Sequence, residues 1–240
     1  GERCLLPVVA PATPPGAWVS TLGFATTRGP GAWKTDTRTG CWRDSFELVE
    51  QLHPRAWAVE SVTQAYGTGR ELMDELTKRA LLLGYSVTHL LVDAANHGLP
   101  QHRKRFFLVG HGAPRLASAQ LNWSPAPTVG EVLREVAAPG ESVPVRERYL
   151  AVVKTIRPGE RASEAWERLN PPETWVRNAH GKVTGRPSFS EGRLALDRTM
   201  GAYTGDKYYH PLEERRLGIE EAKALCGYPP EFQLAGPVSD

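Results

Sequence analysis

Cysteine is scarce in this chain: 240 residues contain three. Cys4, Cys41 and Cys226 are odd in number and lack metal-ligand spacing, which excludes a disulfide framework and a zinc site and fits a reducing cytoplasm. No apolar run approaches the ~20 residues that a membrane span needs. The sequence opens on Gly1, with no leader of basic start and apolar middle, as expected of a trimmed chain or of the interior of a longer polypeptide. Neither sign of charge dominates. A net charge of +2 and a pI near 8.5 fall short of the basic excess common in nucleic-acid-binding domains, so composition alone does not point to DNA. At 40% hydrophobic and 23% charged residues, the chain can bury a core as one domain with a smaller one appended.

Pro7, Pro11, Pro14, Pro15 and Gly16 mark residues 1–16 as an arm or linker. Residues 17–20 are apolar and predict a short strand, and 26–40 a polar loop carrying Arg28, Lys34 and Arg38. Residues 45–52 predict a helix with Phe46, Leu48, Val49 and Leu52 inward, ended by His53 and Pro54. A buried strand is expected over 57–62. Thr68 and Glu71 then form a capping box for a helix whose Leu72, Met73, Leu76, Ala80 and Leu83 recur at helical spacing until Gly84. A further strand over 86–91 completes a βαβ unit of a parallel sheet. From 113 to 194 this rhythm stops: the stretch is rich in Pro and Arg and predicts one short helix, 129–137, capped by Thr128. Residues 219–226 predict a last helix, stopped by Gly227, Pro229 and Pro230, with Ala222, Leu225 and Tyr228 in the core.

The chemistry concentrates in the run DAANHGLPQHRKRFFLVG, Asp93 to Gly110, and in AWAVESV, Ala56 to Val62. The first reads as strand, turn and strand, with Arg103 and Arg105 two apart and so on the same face of an extended segment. Two guanidinium forks beside a sheet invite a planar acceptor or a phosphate. Glu60 falls at the carboxyl end of its strand, where open α/β sheets place ligands. It either meets such a ligand or forms a structural ion pair with Arg105. Arg177, Asn178, Lys182, Arg186 and Arg193 supply donors suited to base edges and phosphates, or else belong to an exposed polar loop.

These two segments resemble signature stretches of the DNA cytosine-5 methyltransferases, which run ENV and then YGVPQxRxR before an apolar strand. Two more matches keep the family's order. WSPAPTVGE, Trp123 to Glu131, is similar to WPxPTVGD, and HPLEERRLGIEEAKALCGYPPEF, His210 to Phe232, to HPxxxRxLTxREAxRLQGFPxxF. The resemblance implies an α/β fold: part of a Rossmann-like methyltransferase sheet, its second half, in 17–112. It further implies a small irregular target-recognition domain in 113–194 and a return segment in 195–240. By position, Glu60 would bond the Watson–Crick edge of a flipped cytosine, with Arg103 and Arg105 on its O2 side. Double-stranded DNA is the implied partner, S-adenosylmethionine the implied cofactor, and restriction–modification in the cytoplasm the implied setting.

The departures bear on activity. Relatives carry a Pro-Cys nucleophile in a PPCQGFS loop; an ungapped match puts Thr21 at that cysteine, and no Pro-Cys dipeptide occurs in the sequence. A threonine hydroxyl is a far poorer nucleophile toward C6 of cytosine than a thiolate. Residues 1–20 hold no Gly-x-Gly turn for the cofactor, and no GNxV segment follows Phe232. Three functions are therefore expected. The chain is a subunit completed by a partner that brings S-adenosylmethionine and a nucleophile, an inactive DNA-binding regulator, or a methyltransferase-fold scaffold or nucleotide-binding protein. No cofactor is expected on the chain alone. A protein partner or self-association is expected to cover the incomplete sheet.

Overall fold

A computed structural model describes residues 8–9, 40–67, 69–112, 121–188, 191–203 and 207–234. They fall into two compact units, one of residues 1–93 and 104–122, the other of 94–103 and 123–240.

The first unit is a mixed sheet with helices. In chain order it contains β1 (Val8–Val9), α1 (Gly40–Leu52), β2 (Ala56–Ser61), the single turn α2 (Gln64–Gly67), α3 (Arg70–Leu82) and β3 (Ser86–Asp93). The second unit contributes the two-residue β4 (Gln101–His102), and β5 (Lys104–His111) then returns to the first. The strand order is β1-β2-β5-β3. β1 runs parallel to β2, whereas β5 is antiparallel to both neighbours, with Glu60 opposite Phe107 and Val92 opposite Arg105. The β2–α3–β3 crossover does join parallel strands, as expected. The parallel sheet expected from it is corrected, because β5 is hydrogen-bonded between the two.

Alternation sets the core. In β2, Trp57, Val59 and Ser61 are buried, and in β5 Phe106 and Leu108 are. From α1 they meet Trp42, Phe46 and Val49, and from α3 Leu72, Met73, Leu76 and Ala80. Trp57 is the centre of this cluster. Phe46 packs edge-on at 5.5 Å, Tyr85 at 6.0 Å, and the Tyr85 hydroxyl donates to the Pro54 carbonyl at 2.7 Å. Its cross-strand partner is Gly110, and a Cβ there would lie 2.1 Å from the indole. Two-pronged pairs, Arg43 to Glu75 and Arg79 to Glu50, link α1 to α3 on the outside.

Several expectations are corrected here. The first helix starts earlier, at Gly40, so its inward stripe is Trp42, Phe46 and Val49, while Leu48 and Leu52 are about half exposed. His53 ends it with φ 44°. The N-cap of α3 is Gly69, without a side-chain cap bond; Thr68 lies outside the described residues. β3 is no buried strand: none of its residues is fully buried, and Leu91 is 60% exposed. The strand expected over 17–20 lies outside the described residues; among the described ones the strand hydrogen-bonded in parallel to β2 is Val8–Val9.

The second unit is built from short pieces. Its helices are α4 (Val129–Arg134), α5 (Leu150–Thr155), α6 (Ala162–Leu169) and α7 (Ile219–Leu225). Strands β6 (Gly192–Arg193), β7 (Met200–Gly201) and β8 (Tyr208–Tyr209) pair as β4 with β7 and β6 with β8, both parallel. Thr128 caps α4 with the expected box to Glu131. The helix stops at Arg134, short of the expected end, and α5 and α6 are additional to the one helix expected before 194. One core gathers Val152, Val153, Ile156, Ala165 and Tyr209, the other Val129, Leu194, Met200, Leu217 and Leu225. Tyr228 is not in either: Gly227 at φ 78° turns the chain outward, leaving Tyr228 46% exposed against Phe232. Among the described residues no helix is long and apolar enough to cross a membrane.

Candidate functional site

Glu60 and Arg105 come together because β2 and β5 are neighbours. Arg105 is two residues from Phe107, the partner of Glu60, so both side chains rise from the same face as diagonal neighbours. Arg105 Nε donates to Glu60 Oε1 at 2.6 Å, and its Nη1 to the Lys104 carbonyl at 2.8 Å. The side chains stay 23% and 33% exposed. Screening at that exposure limits the pair to ~0–1 kcal/mol of stability. The arrangement orients a carboxylate at a strand end, where an amino or ring N–H can still approach it.

Arg103 occupies the break between β4 and β5, which interrupts the extended segment on which a shared face with Arg105 was expected, and it belongs to the second unit. There it is exposed and lines a cavity of about 550 Å³ with Leu99, Gln101, Tyr203, Cys226 and Tyr228. Gln101 holds one wall: its amide donates to the Leu225 carbonyl at 3.0 Å and accepts from the Tyr203 N–H at 3.1 Å. Sequence reading passed over Gln101, although it directly precedes the basic run. Burial pushes the Cys226 thiol up, which keeps it protonated and unreactive. Thr21 lies outside the described residues.

The polar cluster expected to face DNA forms a tight hairpin. Arg177 bridges Val183, the Asn178 N–H donates to the Lys182 carbonyl at 2.9 Å, and Asn178 Oδ1 accepts from the N–H groups of His180 and Lys182 at 3.0 Å. The side-chain oxygen of Asn178 is thereby spent on its own turn. Arg177 Nη1 donates to the Gly181 carbonyl at 2.7 Å, with its guanidinium 5.9 Å from the Trp175 ring, and Arg186 pairs with Glu167. Lys182 is exposed at the turn.

Arg193 is corrected. It is buried at 7% exposure, and its two Nη groups donate to the carbonyls of His210, Glu213, Pro211 and Val153. A guanidinium so placed organises the second unit and has no reach to a DNA groove. Beside it is a buried charge cluster. Arg215 grips Glu221 with bonds of 2.7 and 2.8 Å, and the Gly218 N–H donates to Glu221 at 2.7 Å. Burial opposes ionisation of Glu221, but these bonds hold its carboxyl below the usual range. Burial also holds the His210 imidazole below its ordinary value, with Nδ1 accepting from the Leu212 and Glu213 N–H groups. Among the described residues no group of side chains could hold a metal ion.

A profile of C-5 cytosine-specific DNA methylases matches residues 31–240. The curated type II methylase M.HgiDII of Herpetosiphon aurantiacus is 25% identical over 174 residues, 64% of this chain and 48% of that protein. The chain thus spans about half the length of the curated relative it matches. Among solved structures, a DNA modification methyltransferase encoded within an E. coli prophage superposes with a TM-score of 0.50 at 16% identity, covering 82% of this chain and 66% of that one. The Entamoeba histolytica methyltransferase EhMeth gives 0.48 at 12% identity, with 83% and 60% covered.

Proposed function

Because the chain belongs to the C-5 cytosine-specific DNA methylase family, we propose that it binds double-stranded DNA through a remnant cytosine pocket and transfers no methyl group by itself. In this reading it is a subunit or regulator of a cytoplasmic methyltransferase. The first unit stands for half of the family's Rossmann-like sheet and the stretch to 194 for its target-recognition part. The observation that carries the reading is the Glu60–Arg105 pair at 2.6 Å, oriented and part-exposed at the end of β2. A carboxylate so held can accept from the amino group of cytosine, and the guanidinium keeps it aimed. The exposed Lys182 and the Arg177 hairpin supply contacts to DNA.

S-adenosylmethionine is the methyl donor of the family, and the residues present do not fit it. Residues 1–20 hold no Gly-x-Gly turn for it, and the carboxylate near the end of β2, Glu60, is aimed by Arg105 at the place given above to the cytosine. No thiol follows a proline anywhere in the sequence, so no residue is assigned to attack C6. Both roles fall to a partner protein or to sequence outside these 240 residues. Incubating the chain with cytosine-containing duplex and labelled S-adenosylmethionine tests this: label should remain off the DNA until a partner is added. Methyl transfer by the chain alone refutes the reading.

A further inference from the structure

The second unit holds a cavity of about 420 Å³ walled by residues 159–161, 191–195 and 198–202 with Tyr208. Backbone pairing fixes its shape. Arg161 bridges Gly192, the Gly159 N–H donates to the Arg193 carbonyl at 2.9 Å, and the Arg193 N–H to the Glu160 carbonyl at 3.0 Å. Gly192 permits that approach, since a Cβ there would stand 2.8 Å from the Glu160 carbonyl oxygen.

The charges lining it are Glu160, Arg161, Glu191, Arg193 and Arg198, and three of them are already matched. Glu160 accepts from the Arg157 N–H at 2.7 Å and pairs with Arg168. Glu191 accepts from the Tyr209 hydroxyl at 3.1 Å and lies 3.5 Å from Arg216. Arg198 meets its neighbour Asp197 at 3.1 Å. The other two are unmatched. Arg161 is exposed, and among the described residues its guanidinium donates to no acceptor. Arg193 is buried, and among the described residues its Nε–H has no acceptor and no carboxylate lies within ion-pair distance of it. Carbonyl dipoles solvate that guanidinium without cancelling its charge, Glu214 opposes it only from beyond ion-pair distance, and a buried charge so weakly countered is costly.

We propose that this cavity binds a phosphate oxyanion. Arg161 presents its donor fork to it, Thr199 its hydroxyl, and Arg193 the fixed positive charge behind the wall. The sugar–phosphate backbone of duplex DNA is the expected source, which rests on the DNA-binding reading above. A free phosphate offers the same oxygens.

The test uses the 240-residue chain and its Arg161→Ala and Arg161→Lys variants; the side chain has no described partner, so neither change removes a contact of the fold. Inorganic phosphate is titrated against chloride at equal ionic strength, with the backbone amide signals of Gly159, Gly192 and Gly201 as the readout. Saturable shifts are expected in the unaltered chain, lost in Arg161→Ala and largely kept in Arg161→Lys. In a second arm, duplex binding is measured across salt concentrations, where Arg161→Ala should lower the slope of log K against log salt by about 1 on any sequence. Phosphate shifts with an unchanged duplex slope assign the site to free phosphate. Phosphate shifts in a chain that binds no duplex sink the DNA reading and leave the oxyanion site standing. Duplex binding with neither phosphate shifts nor any change of slope in Arg161→Ala overturns the proposal.

Discussion

Replacing Gly110 with alanine adds one methyl group where the structure has no room for it. The new Cβ would lie 2.1, 2.3 and 2.4 Å from Cε2, Cζ2 and Nε1 of Trp57. The indole cannot step aside, because it is 3% exposed and held between Phe46 and Tyr85. Forcing one methylene into a packed core costs ~1–3 kcal/mol, and three overlaps put this site at the upper end, ~3 kcal/mol. Alanine recovers ~0.5–1 kcal/mol of backbone entropy relative to glycine in a strand. The net loss is about 2 kcal/mol, or a fall in Tm of about 4–8 °C for a chain of this size. Thermal and urea unfolding followed by near-ultraviolet circular dichroism would measure it. Trp57→Phe supplies the control: on that smaller ring the added methyl should cost under ~1 kcal/mol, giving a coupling between the two sites. Gly110→Ala within ~0.5 kcal/mol of the parent, or strictly additive behaviour with Trp57→Phe, would refute the claim that glycine is there to seat the indole.

Arg105→Ala should weaken binding to duplex with a mismatched target cytosine more than to fully paired duplex, as read by anisotropy; equal losses point to a structural pair instead. Arg193→Met, which leaves several buried carbonyls without a donor, should cost about 3 kcal/mol or more in urea unfolding. A loss under ~1 kcal/mol would show that those bonds do not organise the second unit. Acid should destabilise the chain in two stages. Burial holds His210 below its ordinary 6.5, in a site shared with Glu221, Arg215, Glu213 and Arg193, so unfolding takes up a proton and the His210 contribution is full above about pH 6.5 and lost below it. Glu221, held low by Arg215 and Gly218 against its burial, adds a loss in the same direction as the pH falls below about 4.5. His210→Asn should flatten the urea midpoint between pH 7 and 5, and an unchanged slope there would exclude the imidazole as its cause.

The helix α3 and its end were readable because Leu72, Met73, Leu76 and Ala80 repeat at the helical period and Gly84 supplies a positive φ. The Thr128–Glu131 box was readable for the same local reason. Leu48 and Leu52 misled because apolar spacing within 45–52 fits two stripes, and Trp42, which selects the right one, precedes that window. The antiparallel place of β5 is set by non-local pairing that no local pattern encodes. Glu60 and Arg105 could be paired from the sequence because each ends or begins a legible strand. Arg193 could not be assigned, since an arginine in a polar stretch looks the same whether it faces solvent or four carbonyls from distant segments.

The chain enters the second unit at Ala94, returns to the first at Lys104 and leaves it again at Trp123. No single cut therefore separates the two. A fragment beginning at Trp123 would lack the strand that pairs Gln101 with Met200, and with it the side chain that joins Leu225 to Tyr203. A fragment ending at Asp93 would lack β5, leaving β2 and β3 with no strand between them. The ten-residue excursion stitches the halves into one piece of chain, so a gene division that kept both parts stable would have to carry residues 94–103 with the second half and supply 104–111 again to the first.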